Sequence, residues 1–134
     1  MRADTWRALS FSAGTFVLGL VGWAGLIGPA WPAGDPARGE QAYESRCGGC
    51  HSVREDRVGP RHAGLIGRRA GSVPGFDYSP ALRASGLVWD AALLERWLTD
   101  PQALVPGQRM GFRVGDAAVR ADIVAYLATL REPR

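Results

Sequence analysis

The stretch RCGGCH at residues 46–51 constrains this chain more than any other, because it contains both of its cysteines. Two thiols three positions apart, followed at once by an imidazole, admit three chemistries. A thioredoxin-like redox pair needs its first thiolate at the start of a helix that follows a strand. The preceding residues, GDPARGEQAYESR, offer instead Asp35 as a helix cap and Pro36 in the first turn, with Tyr43 and Cys47 on one face at i, i+4 spacing. The cysteines therefore fall at a helix end. A structural zinc site needs four ligands, and only His51 and His62 are available beside the thiols, at no finger-like spacing. The third chemistry is C-x-x-C-H, in which both thiols bond covalently to a c-type heme and the adjacent imidazole takes one axial position on the iron. Two thioethers at this spacing pin the macrocycle at one edge, and Gly48–Gly49 frees the backbone to turn there. The spacing points to heme attachment through Cys47 and Cys50, with His51 on the iron.

The N-terminus carries an export signal. Two arginines in MRADTWR precede an uncharged run from Ala8 to Pro32, after which Asp35 restores ordinary globular sequence. The run is about long enough to span a bilayer at ~20 residues, but Gly14, Gly19, Gly22 and Gly25 dilute it and Pro29 closes it. Residues 1–33 are read as a signal peptide, with an uncleaved membrane anchor as the alternative, and residues 34–134 as one domain. With Arg2 and Arg7 retained inside, the domain faces the periplasm either way.

The charge argues against nucleic acid as a partner. All 16 basic residues are Arg, but they interleave with 13 acidic ones, and residues 34–134 alone carry 14 against 12. A nucleic-acid protein would have a larger and clustered excess. The elements read as all-α. DAALLERWL at 90–98 predicts a helix capped by Asp90, with Leu93, Leu94 and Trp97 inward. GDAAVRADIVAYLATLR predicts another, capped by Asp116, with its apolar stripe at Val119, Ile123, Tyr126, Leu127 and Leu130. Between residues 52 and 80, five glycines with Pro60 and Pro74 break any long element, so this stretch is expected to loop around the cofactor.

A heme iron that carries electrons takes a second axial group, usually Met or His. Without Met1 the only thioether is Met110, in the Pro-Gly-marked loop VPGQRMGF, and the only other imidazole is His62.

Taken in order, CGGCH, VGPRHAGLIGRRAG, PGFDYSPAL, GLVWD, DPQALVPGQRMGF and RADIVAYL resemble the class I cytochromes c, the mitochondrial type and its soluble bacterial relatives, over essentially Asp35–Leu130. The resemblance implies a cytochrome c fold: three main helices plus short ones, and Gly/Pro-rich loops around one covalent heme c. It implies Cys47 and Cys50 as thioether positions, His51 as proximal and Met110 as distal iron ligand. Pro60 would accept a hydrogen bond from the proximal imidazole. Arg68, Tyr78 and Trp89 would surround a buried heme propionate, and Phe112 would shield the heme on the methionine side. Gly39, Tyr43 and Tyr126 match the crossing of the first and last helices.

Departures from the family pattern accompany these matches. Leu82 stands where an asparagine is common and Trp97 where a tyrosine is; as a less polar pocket, this would raise the reduction potential. His62 replaces a leucine and is expected beside the proximal ring, and the segment between His51 and Pro60 is short. A six-coordinate heme has no open position for substrate, so the resemblance implies a monomeric single-electron carrier and not an enzyme. Its partners would be redox proteins such as a bc-type complex, an oxidase, a reaction centre or a dehydrogenase, docking transiently at a heme edge lined by Arg46, Arg109 and Arg113. An open-site heme for a diatomic gas or peroxide, and an anchored subunit of a larger oxidoreductase, are the rival functions.

Overall fold

Each described helix starts where an oxygen-bearing side chain can catch its free N–H groups. The computed structural model describes residues 33–132. Asp35 caps α1 (Pro36–Arg46), accepting from the N–H groups of Ala37 and Arg38 at 2.8 and 3.1 Å. Ser79 caps the single-turn α2 (Pro80–Ala84), Asp90 caps α3 (Ala91–Thr99), Asp100 caps α4 (Pro101–Leu104) and Asp116 caps α5 (Ala117–Thr129). Proline occupies the first turn of α1, α2 and α4, where its missing N–H costs nothing. The architecture is all-α, as expected. Among the described residues the nearest thing to a strand is one isolated antiparallel bridge, Arg69 to Val88.

Helices α1 and α5 cross at Gly39. A Cβ built there would lie 1.9 Å from the carbonyl oxygen of Asp122, so only glycine permits this approach. Tyr43 and Tyr126 close the crossing, their ring centres 5.3 Å apart. An ion pair ties its open end: Arg38 Nε and Nη2 donate to Asp122 at 2.8 and 2.9 Å, and the backbone N–H of Asp35 donates to the same carboxylate at 2.7 Å.

The stripe expected on α5 covers less than the helix buries. Ile123 and Leu127 are buried, but so are Asp122 and Val124, because α5 packs against α3 as well as α1. A helix enclosed on two sides does not show the narrow periodicity of a surface helix. The core continues through Leu94, Trp97 and Leu98 of α3 and Val114.

Residues 47–79 contain no helix. Hydrogen bonds between loops hold them: Gly59 N–H to Cys50 O at 2.8 Å, Ala63 N–H to Val53 O at 2.7 Å, and Gly67 N–H to Trp89 O at 2.8 Å. The loops and α3 leave a cavity between them. Residues 1–32, which include nearly all of the leader read above, lie outside the described residues. No described helix is long and apolar enough to cross a membrane.

Candidate functional site

The cavity measures about 440 Å³ and takes a side chain from every sequence-predicted site position. Cys47, Cys50, His51, Pro60 and Arg68 line it from the first half of the domain. Tyr78, Trp89, Trp97, Met110 and Phe112 line it from the second. Its size falls in the range of small-molecule and cofactor sites, roughly 300–1,000 Å³.

Cys47 is the C-cap of α1, and its N–H bonds back to Tyr43 O. Cys50 follows one turn on and is exposed. The two sulfurs are not bridged to each other. Burial pushes the Cys47 thiol up to about 11. A redox-active pair requires the reverse, a thiol lowered by a helix N-terminus or a cation, so the geometry removes the thioredoxin-like reading.

His51 reaches the cavity with its orientation already fixed. Its Nδ1 lies 2.8 Å from Pro60 O, and since a carbonyl can only accept, Nδ1 carries the proton and Nε2 keeps a free lone pair. Burial lowers the imidazole pKa against the opposing effect of that carbonyl, favouring the neutral ring. Gly59 lies so close to the ring that a Cβ there would come within 2.1 Å of His51 Cε1. His62 stacks on the His51 ring, ring centres 4.3 Å apart and 21° from parallel, with its Nδ1 3.1 Å from the Tyr43 hydroxyl.

Met110 has separate surroundings. Trp97 Nε1–H donates to its sulfur at 3.2 Å. The indole, in place of the family's tyrosine, thus keeps one donor directed at the thioether. The other departure, Leu82, is half-buried on the cavity wall and brings only hydrocarbon. Gln108, a residue that no sequence pattern marks, is buried and clamps the methionine backbone. Its Nε2 donates to Met110 O at 2.7 Å, and its Oε1 accepts from Met110 N–H. A lone buried glutamine in a loop has no periodicity to announce it; its place two residues before Met110 was the only signal.

Arg68 is a mostly buried cation in the cavity wall. Nη1 and Nη2 donate to Ala63 O and Arg61 O at 2.8 and 2.7 Å, which uses two of its five N–H donors. Its nearest carboxylate, Glu132, is 3.7 Å away and half-exposed. Burial lowers its pKa, a desolvation cost that an anionic group in the cavity would offset. Trp89 is buried and lines the cavity, and its Nε1 donates to no acceptor among the described residues. A buried guanidinium and an unspent ring donor suit a carboxylate-bearing ligand.

The rim is more neutral than expected. Arg109 Nη1 donates to Asp77 Oδ2 at 2.9 Å and to Asp77 O at 3.1 Å, and Arg113 pairs with Asp100 at 3.0 Å. Two of the three arginines read as a docking patch are thus neutralised by carboxylates near in space and far in sequence. Arg46 is exposed on the rim, with no ion pair among the described residues. Apolar Val58 and Phe112, 80% and 43% exposed, complete the rim.

The Cytochrome c family model matches residues 36–131. This chain belongs to the cytochrome c family. It is 47% identical over 105 residues to cytochrome c2 of Rhodomicrobium vannielii, an alignment covering 75% of this chain and 82% of that one. It is 42% identical over 103 residues to cytochrome c2 of Rhodopila globiformis, covering 75% and 97%. Cytochrome cH from Methylobacterium extorquens superposes with a TM-score of 0.68 at 43% identity, over 72% of this chain and 99% of that structure. The domain is therefore a class I c-type cytochrome, with one covalently attached heme c and a role in electron transfer. Its cavity fits that group: paired thiols on one wall, an imidazole Nε2 and a thioether as donors, and a buried cation for an acidic substituent.

Proposed function

We propose that this cytochrome is a periplasmic single-electron shuttle between respiratory or photosynthetic redox complexes, released from its signal peptide at residues 1–33. Cys47 and Cys50 would form the thioethers, His51 and Met110 would ligate the iron, and Arg68, with Tyr78 and Trp89 as ring donors, would meet a buried propionate. The heme, when bound, supplies a metal centre that changes oxidation state by one electron.

The chain's own residues make that change inexpensive. Pro60 holds the His51 ring in one tautomer and orientation, and Trp97 holds the Met110 sulfur, so little needs to move between oxidation states. With His51 and Met110 both on the metal, no position would remain open for a substrate. The partner meets an apolar rim at Val58 and Phe112, with Arg46 contributing free charge. The observation that carries this reading is the pair of pre-oriented donors, His51 Nε2 and Met110 Sδ, lining the cavity that the two cysteines open onto.

The test is an optical spectrum of the protein matured with c-heme machinery. The ferric form should show the weak near-red band of a sulfur–iron bond, and Met110→Ala should remove it. A missing band, with carbon monoxide binding readily to the ferrous form, would instead establish an open distal position and a gas-binding or peroxidatic role.

A further inference from the structure

Met110 occupies a loop that cannot satisfy its own backbone. Among the described residues, neither the N–H nor the C=O of Met110 has a backbone partner. The side chain of Gln108 meets both, donating to the carbonyl and accepting from the amide of the same residue two positions on. Few side chains can do this. A hydroxyl at that position offers one short arm, and a carboxylate has no donor, whereas a primary amide presents a donor and an acceptor side by side.

Gln108 is held in turn by a second glutamine. Gln102 Nε2, on α4, donates to Gln108 O at 3.0 Å, and Gln102 Oε1 accepts from Gly107 N–H at 3.1 Å. Asp100, which caps α4, also pairs with Arg113 beyond the methionine. The loop is thus tied to α4 on both sides of Met110. Gln108 is only 4% exposed, so its amide pairs where water does not compete.

We propose that Gln108, backed by Gln102, is a positioning residue that fixes Met110 as an axial ligand and keeps competing ligands off the iron. The inference rests on the reading of Met110 as the sulfur ligand. A thioether is a neutral, weakly attached donor on a flexible stem, so its occupancy depends on how often the loop carrying it swings away. A competitor binds only the open population, and its apparent affinity rises in proportion to that population. Each of these hydrogen bonds is worth a factor of roughly two to ten in that equilibrium.

Imidazole is the probe, titrated into the ferric, heme-loaded protein while the near-red sulfur–iron band is followed. Gln108→Leu, which keeps bulk and removes both bonds, should bind imidazole about tenfold more tightly or better. Gln102→Ala, an exposed position, should tighten binding roughly two- to fivefold. Arg38→Ala weakens the α1–α5 crossing away from the loop and should leave imidazole affinity as in the parent, separating positioning from a general loss of stability. Equal affinity in Gln108→Leu and the parent overturns the proposal. If Gln108→Leu fails to mature, Gln102→Ala decides, and unchanged affinity there overturns it equally. A parent protein that shows the band, with variants that bind imidazole no better, leaves Met110 as ligand and removes the brace. A parent without the band removes both.

Discussion

The indole N–H of Trp97 donates to the sulfur of Met110 across 3.2 Å. A donor on a thioether draws lone-pair density away from the metal it binds and so disfavours the ferric state. Trp97→Phe should lower the reduction potential, by on the order of 20–60 mV for a hydrogen bond of about 0.5–1.5 kcal/mol in a one-electron couple. Leu82→Asn, which adds polarity to the same cavity, should lower it too. Potentiometric titration decides; a potential that stays or rises in Trp97→Phe would show that the contact does not tune the metal.

Asp77 holds Arg109 at the rim and approaches Arg83 at 3.7 Å. Asp77→Asn should release positive charge beside the cavity at little cost in stability, about 0–1 kcal/mol for so exposed a pair. Electron transfer with a negatively charged partner should quicken, roughly two- to threefold at low ionic strength, and become more salt-sensitive. Stopped-flow rates at several salt concentrations measure this. An unchanged rate would place docking on the apolar rim alone.

Acid stability should depend on Asp122. The Arg38 guanidinium, helped by the Asp35 N–H, holds its carboxyl below the usual carboxylate range. A folded pKa below the unfolded one gives stability that is full above about pH 4 and is lost as pH falls through the folded value. Asp122→Asn should therefore lower the melting temperature at neutral pH, with the deficit narrowing in acid. Melting curves from neutral pH down to about pH 3 test it; a deficit independent of pH would assign the loss to packing.

What could be read from the chain itself followed from local rules. Asp35, Asp90 and Asp116 cap helices because their side chains satisfy nearby N–H groups, and the C-x-x-C-H spacing imposes its own geometry. Pro60 became visible through family likeness, and its carbonyl lies where that likeness placed it relative to His51. The burial of Val124 and Asp122 was not legible, because it depends on α3 closing over α5. Nor were the pairs Arg109–Asp77 and Arg113–Asp100, whose partners are 32 and 13 positions away in the chain. The Gln108 clamp is local in sequence, yet it depends on a loop conformation that no periodic pattern encodes.

Trp89 and Trp97 meet edge to face, their ring centres 5.3 Å apart, and they are the only tryptophans in residues 34–134. Both line the cavity. A strongly absorbing macrocycle seated there would quench the emission of both indoles by energy transfer, and any opening of the cavity would restore it. The domain thus carries a built-in fluorescent gauge of its own integrity, dark when the fold is closed around its cofactor and bright when it is not.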